Sequence, residues 1–468
     1  MIIALPIEIK VRELTSKMFL TYKILKDSNS DIVIGKKNVI FNFFKNNKNV
    51  FLLFKGGAKK IFPFNKRSLI NNKIALLDEE GPLFKMGKYG SIRYSNFIFY
   101  KMNYVFLWGL KDLKLSKKFK NTLGKKTLIT GHPKYDILKF PYYKYFDNEV
   151  RSIKKRFKNY VLISSSLDGG DLEADATIYN TFFQDLLPKT KKKESKKFLA
   201  RFEKADRKNY KDLINIIIKL AKENKGINFI FRPHPKQSVY KVKQKFPKNI
   251  KNIKVVFEHS VTPWIIGCKL MIHSGCSTAF EAAVLKKKII YFASDNFNHP
   301  KEYEKFGMYF NKANECINST NKIINNKLKY SSKDLNKDII KNYKKETFTS
   351  NLIRIIKNHK NNQENIYIDN FYKGDELYFK KLMSTFKNFI LNFKIGSLFL
   401  GKVNTSLLLK KSHKIQKFPG LTKTEITKSL HNFKKIDKYN QKVYIKEIAK
   451  DCYYVSKNKN LRKIIIKS

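Results

Sequence analysis

Met-Ile-His-Ser-Gly-Cys-Ser-Thr-Ala-Phe-Glu-Ala-Ala at 271–283 decides the reading of this chain, together with the Arg-Pro-His-Pro at 232–235 upstream of it. The two stretches lie about as far apart as two successive strand-to-helix turns of an α/β sheet. Each follows an apolar run of strand length, Ile227 to Phe231 and Lys269 to Ile272. The second run, which ends at His273, leads into a helix whose first turn is small and hydroxyl-rich. Gly275 permits a tight turn there, and Ser274, Ser277 and Thr278 offer hydroxyl and N–H groups. Unpaired N–H groups and the positive end of a helix dipole make such a turn a cradle for an anion.

Arg232 and His234 are presented by a turn that two prolines stiffen, at the carboxyl end of a strand, where open α/β sheets bind ligands. A guanidinium there can fork onto phosphate oxygens. Glu281 falls one helical turn inside the cradle, within reach of a ribose or sugar hydroxyl. The anion expected is therefore the diphosphate of an activated substrate such as a nucleotide-sugar, bound by Arg232, His234, His273, Ser274, Gly275, Ser277, Thr278 and Glu281.

Working outward, further apolar runs read as strands at Ile2–Leu5, Asp31–Ile34, Val50–Phe54, Lys73–Leu77, Asn103–Trp108, Lys126–Thr130, Tyr160–Ser164, Lys254–Phe257 and Lys288–Phe292. Helical periodicity is clear at Val11–Leu25 and Asp212–Glu223. Alternation of this kind implies parallel sheets wound in right-handed units. The charged stretch from Tyr142 to Lys158 divides the strands into two series, so the expectation is two doubly wound α/β domains facing a cleft, 1–145 and 146–345. Residues 346–468 are Lys-rich and read as a mainly helical basic extension, with helices over 351–358 and 375–393.

Strand ends of the first series carry acid–base groups. Glu13 follows the first strand, Glu79 and Glu80 the fourth, and Gly131-His132-Pro133-Lys134-Tyr135-Asp136 the sixth. A hydroxyl acceptor needs a base as it attacks, so Glu13, Glu79, Glu80 and, after them, His132 are the catalytic candidates.

The net charge of +59 would ordinarily point to nucleic acid. Ten of the 97 basic residues are arginine and 87 lysine, and Asn, Ile, Phe and Tyr are abundant, the spectrum of A/T-rich codons. Most of the charge then reflects codon bias, leaving adhesion to anionic lipid headgroups as its physical consequence. The four cysteines have no Cys-x-x-Cys or Cys/His spacing, so neither zinc nor a disulfide framework is expected, and a reducing cytoplasm fits. No signal peptide is read at Met1–Lys10, and no apolar run is long enough to span a membrane.

The ordered series Pro-Ile-Glu-Ile-Lys-Val-Arg-Glu-Leu (6–14), Asp-Glu-Glu-Gly (78–81), Trp-Gly (108–109), Gly-His-Pro-Lys-Tyr-Asp-Ile-Leu (131–138), Arg-Pro-His-Pro and His-Ser-Gly-Cys-Ser-Thr-Ala-Phe-Glu-Ala (273–282) resembles the bacterial surface carbohydrate biosynthesis proteins. These are related to GT-B glycosyltransferases, among them capsule Kdo transferases, polysialyltransferases and teichoic-acid glycerophosphotransferases. The likeness covers roughly residues 1–310. The relatives' Gly-Asn-Pro-Arg-Phe-Asp is Gly-His-Pro-Lys-Tyr-Asp here, and their Asn-rich turn is replaced by Ser164 to Gly170. The resemblance implies a GT-B-like fold and a role in surface polysaccharide assembly, with a nucleotide-sugar as donor substrate and no other cofactor or metal. The acceptor implied is a glycan or lipid-linked glycan, reached from the cytoplasm with peripheral attachment to the inner face of the membrane. Two rival readings are a nucleotide-sugar 2-epimerase-like enzyme of the same fold and a basic nucleic-acid-binding protein.

Overall fold

The computed structural model describes residues 1–55, 62–79, 100–116, 127–165, 192–235, 237, 239–295, 301–305, 307–328, 330, 347–359, 366–369, 417–459 and 464–467. Its core is two parallel α/β sheets. The first is built from β1 (Ile2–Ile7), β2 (Asp31–Lys36), β3 (Val50–Phe54), β4 (Lys73–Leu77), β5 (Tyr104–Leu107) and β6 (Thr127–Ile129). All six are parallel, in the order β2-β1-β3-β4-β5-β6. The second holds β7 (Tyr160–Ser165), β8 (Asn228–Arg232), β9 (Ile253–Val255), β10 (Leu270–Ser274), β11 (Ile289–Phe292) and β12 (Met308–Phe310). It is parallel throughout and ordered β9-β8-β7-β10-β11-β12. The central strands, such as β1, β3 and β11, are apolar and buried on both faces because helices cover both sides.

Strand order reverses between β1 and β3 in the first sheet and between β7 and β10 in the second. At such switch points the loops leaving two neighbouring strands diverge to opposite faces, opening a crevice at the carboxyl ends. The described helices around the sheets include α1 (Lys10–Asp27), α2 (Lys37–Asn46), α3 (Leu110–Ser116), α4 (Pro133–Asp136), α5 (Asp147–Phe157), α6 (Lys192–Glu223), α7 (Val261–Gly267), α8 (Ala279–Val284), α9 (Ala313–Ile324), α10 (Phe348–Lys357) and α11 (Lys423–Ile436). The charged stretch from Tyr142 to Lys158 is not a bare linker. It forms a 3-10 turn, Tyr142–Phe146, leading into α5, whose Ile153 and Phe157 are buried.

The C-terminal part differs from the helical extension expected. α10 returns to the first layer, where Thr349 donates both its N–H and its Oγ1–H to Asp136 Oδ2, at 2.8 and 2.7 Å. α11 packs on α1, with Phe433 stacked on Tyr22 and tilted against Phe19. Lys26, Tyr22 and Tyr142 all converge on Asp437 at its end. A short strand, β13 (Ile366–Asp369), pairs in parallel with Ile464–Lys467 in a separate sheet, and two strands between them in sequence, β14 (Tyr444–Ala449) and β15 (Cys452–Ser456), extend the first sheet, β15 running antiparallel to β2. The helix read over 375–393 lies outside the described residues.

Gly35 makes this docking possible. It pairs with Cys452, and a Cβ placed on it would stand 2.7 Å from Cys452 Cα. Gly35→Ala must push β15 off the sheet, so a loss of about 1–3 kcal/mol is expected in urea unfolding. An unchanged midpoint would mean that β15 is not held against β2.

Candidate active site

Around the first switch point, charged side chains lie unusually deep. Glu13, at 0 % exposure, turns back on the entry to α1 and accepts the backbone N–H groups of Glu8 (2.9 Å) and Ile9 (3.3 Å). Lys55, just beyond β3, donates to Glu13 Oε1 at 2.6 Å and pairs with Glu8 at 2.9 Å. For Glu8, burial acts most strongly and favours the protonated form, but Lys55 and Lys37 outweigh it and hold the carboxyl at about 2. Glu13 was a candidate base; its oxygens instead cap α1 and neutralise Lys55, which is a structural task.

One strand further, Glu79 leaves β4 and is held between Lys17 Nζ (2.8 Å to Oε1) and His132 Nε2 (3.1 Å to Oε2), with all three side chains buried. His132 N-caps α4, its Nδ1 accepting the backbone N–H of Lys134 at 3.2 Å. An Nδ1 that accepts carries no proton, so the neutral ring carries its proton on Nε2, the atom that faces Glu79. Burial lowers His132 below its ordinary range despite Glu79. Burial would raise Glu79, yet Lys17 and His132 overcome it and keep the carboxylate ionised. The Trp108 indole packs on His132 with centroids 4.6 Å apart and donates Nε1–H to the Asp78 carbonyl at 2.7 Å. Glu79 and His132, nominated separately, thus form one oriented carboxylate–imidazole pair. Glu80 lies outside the described residues.

In the second sheet the loops after β8 and β10 carry the expected ligand-binding residues. Gly275, at the end of β10, has φ 78°, a left-handed conformation that suits glycine. Cys276, Ser277 and Thr278 follow half-buried, upstream of the first backbone bond of the turn, Ala279 N–H to Cys276 O. Thr278 Oγ1 donates to Cys276 Sγ at 3.1 Å, and Ser274 is buried. Glu281 is fully buried, accepts the Thr262 hydroxyl at 2.6 Å on Oε2 and meets Lys134 Nζ with Oε1. Lys134 follows the dyad's His132, so this ion pair joins the carboxyl end of one sheet to that of the other. Lys111 to Glu302, 2.8 Å, makes a second such link.

Arg232 and His273 lie deeper than a strand-end position suggests. Arg232 does not present a free fork: NH1 and NH2 donate to the carbonyls of Glu258 (2.6 Å) and His259 (3.0 Å), and the guanidinium lies over Trp264 and Phe257. Burial draws it down to about 10. It braces the segment that leads into α7 and Thr262, and through Thr262 it supports Glu281. His273 is also internal, its ring stacked on Tyr291 at 4.8 Å and edge-on to Tyr303, with burial drawing it down to about 3. As a neutral ring in an aromatic pocket it packs α8's turn rather than facing a ligand. His234 is half-buried, its N–H donating to Gln237 Oε1 at 2.6 Å. Arg232→Lys cannot reach both carbonyls, so a loss of about 1–3 kcal/mol of stability is expected by chemical denaturation. Full stability with abolished nucleotide binding would return Arg232 to the ligand.

Sequence reasoning missed Lys17, Lys55 and Thr262. Lys17 had a readable signal: with Glu13, Leu20 and Ile24 it occupies one buried stripe of α1. Among the described residues there is no cluster of three or more His, Cys, Asp and Glu side chains placed to hold a metal.

No family model matches this chain, and no curated protein matches it in sequence. Solved structures do match. The UDP-GlcNAc 2-epimerase of Methanocaldococcus jannaschii, in complex with UDP-GlcNAc and UDP, aligns with a TM-score of 0.50 at 11 % identity, over 76 % of this chain and 99 % of that one. The UDP-GlcNAc 2-epimerase of Neisseria meningitidis bound to UDP-GlcNAc gives 0.46 at 12 % identity, over 76 % and 99 %. The wall teichoic acid polymerase TagF gives 0.42 at 10 % identity, over 69 % and 79 %. The fold is GT-B-like, two Rossmann-type α/β units facing a cleft.

Proposed function

We propose that the chain is a glycosyltransferase that moves a sugar from a nucleotide-activated donor to a surface polysaccharide or a lipid-linked glycan. The observation carrying this reading is the meeting of two strand-end crevices, with Glu79–His132 on one side, the Ser274–Thr278 turn and Glu281 on the other, and Lys134 joining them. The turn's N–H groups and Ser277 and Thr278 take the donor diphosphate. Glu281 takes a ribose or sugar hydroxyl, which displaces the Lys134 ammonium, and the freed ammonium turns to the phosphates. As the acceptor hydroxyl attacks the anomeric carbon it loses its proton to the Glu79 carboxylate, which His132 flanks, and the nucleotide leaves as its diphosphate. The work is cytoplasmic and peripheral to the membrane.

The test follows nucleotide release from a panel of nucleotide-sugars with and without a glycan or lipid-linked acceptor. Release that requires the acceptor supports transfer. Acceptor-independent interconversion of the donor marks a 2-epimerase-like enzyme instead. Failure of every donor to bind, together with RNA or DNA affinity that collapses with salt, marks a nucleic-acid-binding protein.

A further inference from the structure

Large apolar side chains exposed singly are ordinary on a protein surface. Phe140 and Tyr143 are different. They are 74 % and 36 % exposed, and their rings touch, with centroids 6.4 Å apart. Both stand on the turn that follows α4, the helix His132 caps. Lys144 places its Nζ 5.3 Å from the Phe140 ring centroid.

The turn is fixed to α11, with Tyr145 stacked on Phe433 at 4.4 Å and hydrogen-bonded to Ser429 at 3.0 Å. α11 buries Ile426, Leu430 and Phe433 and turns outward Lys428, His431 and Lys435, exposed and spaced as one stripe, with Lys438 exposed just beyond its end. Of the acids around that stripe, Glu425 is engaged by Lys10 and Asp437 by Lys26 and two tyrosines, while Glu149 of α5 lies within electrostatic reach of Lys428. An apolar wedge beside a lysine stripe combines the two signals that hold a protein on an anionic bilayer, burial below the headgroups and attraction to their charge. A stacking site for single-stranded nucleic acid would need an open ring face, and the Lys144 ammonium lies over one face of Phe140.

We infer that the Phe140–Tyr143 turn and the exposed lysines of α11 form one docking face for an anionic lipid bilayer. The rings enter the headgroup–acyl boundary and Lys144, Lys428, Lys435 and Lys438 lie over the headgroups. The inference stands without the transferase reading, since it needs neither donor nor acceptor. Under that reading it sets the cleft beside the surface where a lipid-linked acceptor resides.

The experiment is co-sedimentation of the full chain with phosphatidylcholine vesicles, with and without about 30 % phosphatidylglycerol. Binding is expected only with the anionic lipid. Phe140→Ser with Tyr143→Ser should weaken it about tenfold, and Lys428→Gln, Lys435→Gln and Lys438→Gln together about a hundredfold, at about fivefold per charge removed. Thermal midpoints close to wild type show that the variants fold. The inference is overturned by vesicle binding that both variants keep, by equal binding to neutral vesicles, or by single-stranded RNA that displaces the vesicles and is itself lost in the ring variant. Nucleotide-sugar binding, measured in the same variants without vesicles, stays at wild-type level whichever way the lipid result falls.

Discussion

Glu79→Ala is expected to destabilise the protein by about 3–5 kcal/mol, because it strands the Lys17 ammonium, 1 % exposed, in the core without its counter-charge. Glu79→Gln keeps an acceptor for His132 Nε2–H and is the variant in which to read chemistry. Its turnover should fall about a hundredfold or more with donor affinity nearly intact, and His132→Asn should do the same. Loss of donor binding instead would place the pair on the wrong substrate. Acid stability carries the same signature. A carboxyl held below its ordinary 4.5 contributes stability that is full above pH 4.5 and is lost as the pH falls through the folded value. His132, held below its ordinary 6.5, adds a loss in the same direction, since below pH 6.5 the unfolded chain takes up a proton that the folded one refuses. Urea unfolding of wild type and Glu79→Gln should therefore show a constant gap from pH 7 down to about pH 4.5 and converge only below it, as the pH falls toward the folded value. A gap that closes above pH 4.5 would show that Glu79 is not a depressed carboxylate.

Glu281→Ala should cost about 1.5–3 kcal/mol of donor affinity, roughly ten- to 150-fold, through loss of the hydrogen bond it offers the ligand. Its cost in stability is smaller, since Lys134 is 17 % exposed and can turn to water. Glu281→Gln keeps an oxygen acceptor and should lose less. Lys134→Ala leaves no ammonium to turn to the phosphates, so isothermal titration is expected to read weaker donor binding, and tighter binding would show that Lys134 only competes with the donor hydroxyl for Glu281.

The two sheets were legible because their strands are doubly buried. Val50–Phe54 or Ile289–Phe292 has no polar face, and such runs stand out even in a lysine-rich chain. β14 and β15 were not legible. Tyr-Ile-Lys-Glu-Ile-Ala is a half-exposed edge, and β15 owes its burial to β2 and to the missing side chain of Gly35, pairings that no local pattern encodes. β12 is only Met308–Phe310, too short to read. In the site, strand-end motifs located Glu79, His132 and Glu281 because turns after parallel strands are local features. Their pairings were hidden, because an ion pair such as Lys17–Glu79 or Lys134–Glu281 is made by the fold, and even the apolar-stripe position of Lys17 does not say which carboxylate it meets. The carbonyl partners of Arg232 were hidden for a related reason. An arginine at a strand end announces an anion, but in the folded chain the nearest acceptors are the carbonyls of Glu258 and His259.

Thermal unfolding of wild type and Glu281→Ala, each with a panel of nucleoside diphosphate sugars at about a hundred times a micromolar Kd, tests the central claim most directly. The account predicts that at least one member stabilises wild type by about 2.7 kcal/mol, with the shift sharply reduced in Glu281→Ala. A panel that shifts neither protein, or one that shifts both equally, would contradict it.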